Sequence, residues 1–414
     1  MKKIIKSSLA VALSVCMAAA MTACGGSSGA SSSESAPAES GAATEAAEST
    51  GAAIKIGGSG PLTGPAAVYG QAVKNAAEIA VEEINAKGGL QFELNMQDDA
   101  HDPEKAVTAY GVLKDWGMQA SLATVTSAPG AAVSPSYAED KIFAITPSGS
   151  STSVIYADPD NLSGAFGNVF QMCFTDPNQG TASADYISAH PELGTKVGII
   201  YKNDDNYSKG IFDTFMAEAA AKGLNVVYSE GTFDDSNAQD FTVQLGKAQE
   251  AGADILFLPI YYDPASLILT QANGMGYKPT FFGVDGMDGI LGLEGFDTSL
   301  AEGVYLLTPF SADATDELTV NFVTKYKEKF GEVPNQFAAD AYDCVYAIAQ
   351  ACEAAGVTAD MSSDEICTKL VEQFTTMTFS GLTGSEMKWN ANGEVTKSPK
   401  AVVIKDGVYV GVED

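Results

Sequence analysis

From Ile54 onward the chain alternates short apolar runs with longer stretches of helical periodicity, and this alternation constrains its fold more than any other feature. Ile54 to Gly58 reads as a strand. A Gly/Pro turn follows, then a helix from about Gln71 to Lys87 in which Ala76, Ile79, Ala80, Val81 and Ile84 recur at helical spacing. Gly88-Gly89 closes that helix. Leu94 to Gln97 predicts a strand, Pro103 to Trp116 a helix, Ser121 to Thr126 a strand, Ala131 to Glu139 a helix and Ile142 to Thr146 a strand. The rhythm restarts after Pro177, with helices over 179–189, 209–222, 239–250 and 264–275 and strands over 196–201, 225–229, 254–260 and 280–284. Strands separated by helices of this length require parallel crossovers, so the pattern predicts a doubly wound α/β fold built twice.

The first 53 residues stand outside that pattern. Lys2, Lys3 and Lys6 lead into an apolar run from Leu9 to Met21 that ends at Met21-Thr22-Ala23-Cys24. A basic start, an apolar stretch too short for a permanent span and small residues at a cut describe a secretory signal over residues 1–23. Cleavage there would leave Cys24 at the new N-terminus. The pattern resembles bacterial lipoproteins, in which that Cys is diacylated, and two acyl chains anchor stably where one is marginal. Residues 25–53 are almost wholly Gly, Ser, Ala, Glu and Thr and read as a disordered tether.

The remaining 361 residues suffice for two domains. After the signal, 20 Lys face 53 acidic residues, and the chain has no Arg. Nucleic acid is therefore not expected as a partner, and bulky polyanions are disfavoured, because Arg supplies the planar, bidentate recognition they use best. Cys173, Cys344, Cys352 and Cys367 form no C-x-x-C, and His101 and His190 are the only imidazoles, so neither a metal site nor a thioredoxin-like motif is expected. The four thiols read as buried and free, with a Cys352–Cys367 disulfide as the alternative.

In doubly wound sheets ligands sit outside the carboxyl ends of the strands. The loops there carry this chain's unusual residues: Gly58 to Gly64, Thr126-Ser127-Ala128, Pro147 to Ser150, Asn203 to Tyr207, Tyr261-Tyr262-Asp263 and Val284-Asp285-Gly286. The glycines of the first loop do not make a dinucleotide fingerprint. Gly58-x-Gly60 is followed by Gly64, Pro61 interrupts, and no acid stands at a strand end about 20 residues on, so no cofactor is expected. Nucleophilic catalysis would need a base beside a Ser, Cys or Thr, and His101 and His190 both read as surface or loop residues, so the chain is not read as an enzyme. Acid pairs such as Asp98-Asp99 and Asp234-Asp235 carry little weight among 53 acids.

What remains is a set of neutral donors with one acid. Ser127, Ser148 and Ser150 offer hydroxyl and backbone groups, Asp285 a negative charge, and Tyr69, Tyr207 and Tyr261 or Tyr262 aromatic faces with polar tips. Such a set suits a small zwitterion: donors for a carboxylate, an acid for an ammonium, rings for an aliphatic remainder.

Several ordered motifs resemble the bacterial leucine/isoleucine/valine-binding proteins, type I periplasmic binding proteins that feed branched-chain amino-acid ABC transporters. They are Gly60-Pro61-Leu62-Thr63-Gly64-Pro65 with Tyr69-Gly70, Ile84 to Gly89, Asp98-Asp99-Ala100 with Asp102-Pro103, and Ile145-Thr146-Pro147. Asp176 with Gln179-Gly180, Tyr207 with Gly210, Gln271-Ala272 with Gly276 and Ala301-Glu302-Gly303 follow. The resemblance implies two lobes joined by three crossovers, one formed by 54–174 plus 310–396 and the other by 175–309 plus 397–414. It implies that a ligand carboxylate meets Ser127 and Ser150, that the ammonium meets the Ser148 carbonyl and Asp285, and that Tyr69, Tyr207 and Tyr261 line or gate the side-chain pocket. Delivery to permease subunits, with the lipid anchor as the only membrane contact, is implied too. A sensory lipoprotein would look the same in sequence, and members of the family also bind amides, urea and aromatic acids. Two departures stand out: His101 and Thr126 occupy the positions where a local disulfide is common, and Asp285 stands in place of a Glu.

Overall fold

The computed structural model describes residues 52–412; the signal, Cys24 and the tether up to residue 51 lie outside them. β1 (Ile54–Gly60) runs into α1 (Ala67–Ala86), β2 (Phe92–Asp98), α2 (Pro103–Trp116), β3 (Ala120–Thr124), α3 (Ser127–Asp140) and β4 (Phe143–Thr146). A short hairpin of β5 (Tyr156–Asp158) and β6 (Ser163–Ala165) precedes β7 (Val169–Gln171). These strands make a parallel sheet in the order β2-β1-β3-β4-β7.

The chain then leaves this sheet and repeats the plan. α4 (Asp176–Ala189) leads to β8 (Val197–Lys202), α5 (Asn206–Lys222), β9 (Val226–Phe233), α6 (Thr242–Glu250), β10 (Ile255–Leu258), α7 (Tyr262–Met275), β11 (Thr280–Gly283) and β12 (Tyr305–Thr308). It returns to the first lobe with α8 (Glu317–Phe330), α9 (Gln336–Ala355) and α10 (Ser363–Phe374), which pack on α1, β3 and β4. A third crossover brings β13 (Lys400–Lys405) and β14 (Val408–Gly411) antiparallel onto the second sheet, whose order is β14-β13-β12-β11-β10-β8-β9. The fold is thus two doubly wound lobes joined by three crossovers. In each sheet the chain steps first to one side of the opening strand and then to the other, which leaves a crevice at its carboxyl end.

Burial on both faces explains the apolar runs: every residue of β3, β4 and β10 is buried, as a strand covered by helices on two sides must be. The helix ends are chemically specified. Asp102 caps α2 by accepting from the Glu104 and Lys105 N–H groups, Pro103 holds its first position, and Gly117 leaves it in the left-handed conformation. Ser362 and Glu365 form a capping box on α10. Among the described residues the four cysteines are buried free thiols, so Cys352 and Cys367 are unbridged.

Beneath the crossovers lies a buried charge pair. Lys397 Nζ is 2.6 Å from Asp340 Oδ1 and donates to Thr383 Oγ1, with both charged side chains essentially inaccessible. Among the described residues no helix is long and apolar enough to cross a membrane.

Candidate functional site

Asp285 ends the β11 connection and is buried where the two lobes meet. Its two carboxylate oxygens are held separately, by the Tyr207 hydroxyl at 2.6 Å and by Gln179 Nε2 at 2.9 Å. Burial outweighs these hydrogen bonds and pushes its pKa up to about 7. A carboxylate held in fixed geometry, desolvated and without a cation beside it, is poised to accept one.

Tyr207 sits at the start of α5, in the loop after β8, and its hydroxyl also accepts from the Gly286 N–H at 2.8 Å. Gly286 is required by space: a Cβ there would lie 2.5 Å from the Tyr207 oxygen and 2.9 Å from the Tyr261 ring. Tyr69 on α1 reaches across from the first lobe and donates its hydroxyl to the Gly286 carbonyl. The rings of Tyr207 and Tyr261 stack with centroids 4.9 Å apart, while Tyr69 meets Tyr261 edge-on at 5.5 Å and Phe337 at 4.3 Å. Of Tyr261 and Tyr262, between which the sequence left the pocket position open, only Tyr261 is in the cavity lining. Tyr262 fixes the lobes by accepting from the Val68 N–H.

Opposite these rings stands the N-terminus of α3. Its cap residue Thr126 lines the cavity and makes no side-chain cap to the first N–H groups of the helix. That end of a helix favours an anion. The Ser148–Ser151 loop is held next to it: Thr146 Oγ1 accepts from Gly149 N at 2.8 Å, Gln171 Nε2 donates to the Gly149 and Ser151 carbonyls, and Ser148 Oγ donates to the Val125 carbonyl at 2.6 Å.

Of the seven residues expected from sequence, Tyr69, Ser148, Tyr207, Tyr261 and Asp285 line one small cavity with Val125, Thr126, Gly286 and Phe337. Its empty volume is about 210 Å³ even counting space open to solvent, an upper bound that falls short of sites for drug-sized ligands. Ser127 and Ser150 are buried behind this lining. Ser127 Oγ accepts from Ser151 N at 3.2 Å, and the Ser150 hydroxyl is directed at the buried Asp176 carboxyl.

Several participants escaped the sequence reading. Gln179 is the second holder of Asp285, and Gln336 closes the lobes by donating to the Asp285 carbonyl and to Asp288. Both lie at helix starts, where Gln carries no distinctive signal. Asp176, at the start of α4, is buried beside the Ser150 and Ser151 hydroxyls, and burial outweighs their pull and drives its pKa well up. His101 lies in the β2–α2 loop, as expected of a loop residue, but is half-buried and engaged, with Nδ1 2.9 Å from Thr126 Oγ1 and its ring edge-on to Tyr261. The two residues at the disulfide positions therefore still join, through a hydrogen bond.

Residues 53–407 match the model of the periplasmic binding protein family. A Leu/Ile/Val-binding protein homolog of Brucella melitensis is 30% identical over 237 residues, 56% of this chain and 61% of that protein, so the alignment spans about three fifths of the relative. Among solved structures, a leucine-binding protein of Thermotoga maritima is 28% identical with a TM-score of 0.74, covering 87% of this chain and 98% of that one. A branched-chain amino acid transporter substrate-binding protein of Streptococcus pneumoniae, solved with isoleucine, is 27% identical with a TM-score of 0.75, covering 87% and 100%. With the match extending across both lobes and all three crossovers, the chain belongs to the periplasmic binding protein family.

Proposed function

We propose that this chain captures a small amino acid, with a side chain of branched-chain size, between its two lobes and delivers it to the permease of an ABC transporter. The observation that carries the reading is Asp285, buried, held on both oxygens and facing a cavity walled by Tyr69, Tyr207, Tyr261 and Phe337. Its charge suits the ligand ammonium, with the Ser148 carbonyl beside it. The N-terminus of α3, with Ser127 and the Ser150 loop, suits the carboxylate. The aromatic faces suit a short apolar remainder, and the cavity is too small for a nucleotide. The Brucella and Streptococcus relatives, named for branched-chain amino acids, support the same ligand class.

Ligand that binds only the folded clamp raises its stability by about 2.7 kcal/mol at one hundred times Kd. A thermal-shift screen should therefore respond to one or more small amino acids and not to sugars or nucleotides; a response confined to a sugar or nucleotide would reject the assignment. Diacylation of Cys24 would hold the domain on a tether reaching about 30 Å, close to its permease. Cys24→Ala should release it from membranes, and undiminished membrane association of that variant would reject the anchor.

A further inference from the structure

We propose that Thr126, presented by His101, selects the ligand side chain, favouring a short side chain that bears a hydroxyl, as threonine does, over its apolar isostere valine. The inference rests on the amino-acid reading above and narrows it.

Thr126 is the cap residue of α3, where a threonine oxygen ordinarily accepts from the helix's own N–H groups. Here it does not. Its Oγ1 lies 2.9 Å from His101 Nδ1, the α3 terminus carries no side-chain cap, and Thr126 lines the cavity. His101 is delivered from the β2–α2 loop in a left-handed conformation, φ 62°, following Ala100 at φ 48°. Asp98 and Asp99 fix that turn by accepting from the Ala100 and His101 N–H groups at 2.9 and 3.0 Å. The position is thus specified by several contacts.

Burial holds the His101 pKa below its ordinary value, so the imidazole is neutral at pH 7. In a neutral ring Nδ1 is either donor or acceptor. If it accepts, Thr126 gives it the hydroxyl proton and keeps an oxygen lone pair for the ligand; if it donates, Thr126 keeps the proton. A ligand hydroxyl matches both states and a methyl group matches neither. Three other hydroxyls of the cavity wall are already engaged: Tyr69 to the Gly286 carbonyl, Tyr207 to Asp285, and Ser148 to the Val125 carbonyl. Asp285 is reserved for the ammonium. The Thr126 hydroxyl keeps its bond to His101 and has capacity for one more, which zwitterion recognition leaves unused; a valine methyl against it leaves that second bond unmade, while the Tyr261 ring stacks on Tyr207.

The test is titration calorimetry of the full chain with threonine and with valine, which have nearly the same shape. Threonine should bind tighter by about tenfold or more, the scale of a buried hydroxyl gaining or losing its partner. In Thr126→Val the order should invert. His101→Leu should lower the threonine-to-valine ratio. His101→Asn can offer an amide near the Nδ1 position and tolerates left-handed backbone, so it should retain the preference. Circular dichroism establishes that each variant is folded. Valine binding as tightly as threonine, or a ratio unmoved in both Thr126→Val and His101→Leu, overturns the proposal while leaving the amino-acid reading standing. Failure of every amino acid to bind the parent chain overturns both.

Discussion

Acidification should weaken ligand binding through a single group. Without ligand, burial holds Asp285 at about 7, whereas an ammonium placed against it favours the carboxylate and pulls that value down. The ligand thus binds the deprotonated site, and protons compete with it. The apparent Kd rises by the factor 1 + 10^(pKa − pH), which is about 2 at pH 7, about 11 at pH 6 and about 100 at pH 5, the last equivalent to about 2.7 kcal/mol. Binding must also expel a proton, roughly half of one at pH 7 and nearly a whole one at pH 5.5. Calorimetry in two buffers of unlike ionisation enthalpy reads that proton directly, and a pH series from 8 to 5 reads the slope. In Asp285→Asn the slope should vanish along with most of the affinity. A Kd constant within about twofold over this range, with no proton released, would refute the reasoning.

Three further outcomes follow from the same structure. Asp285 at about 7 and Asp99, Asp288 and Asp343 at about 6 are all raised by burial, so between pH 8 and 5 the folded state binds more protons than the unfolded one. The ligand-free protein should therefore gain stability as pH falls through that window, and a Tm that drops steadily from pH 8 to 5.5 would contradict it. Gly286→Ala would push a methyl into the Tyr207 oxygen and the Tyr261 ring, and should lose about 1–3 kcal/mol of stability with at least tenfold in affinity; a variant that melts and binds like the parent would show that this close approach does not matter. Lys397→Met strands Asp340 without its partner and should cost about 3–5 kcal/mol in denaturant unfolding, whereas replacing both members by apolar residues should recover much of it.

The fold was legible because period and punctuation agree along most of the chain; the misreadings arose where tertiary packing overrides them. β1 reads as ending at Gly58, yet pairs on to Gly60 against Asp98, because Gly60 leaves the room that the Val125 side chain fills. α3 reads as starting at Ala131 but begins at Ser127, since Ser-Ala-Pro-Gly looks like a turn in isolation and becomes the helix end that faces the cleft. Asp285 could be picked out as a lone acid between a strand and a glycine. Gln179, Gln336 and Phe337 could not: they reach Asp285 or the cavity only because the crossovers return α4 and α9 to the same place, and no local pattern records a contact across 106 or 51 residues. The contacts of His101, though not its place in a loop, were missed for a related reason. Its Asp-rich loop suggests solvent, and its partner Thr126 lies 25 residues away.

The central claim is that a zwitterion is held by a buried carboxylate. It is tested most directly by titrating the purified chain and its Asp285→Asn variant with the twenty amino acids. The account predicts one bound amino acid per chain and an affinity lower by about two orders of magnitude or more in the variant, which keeps the shape and removes the charge. An amino acid bound as tightly by Asp285→Asn as by the parent would contradict it.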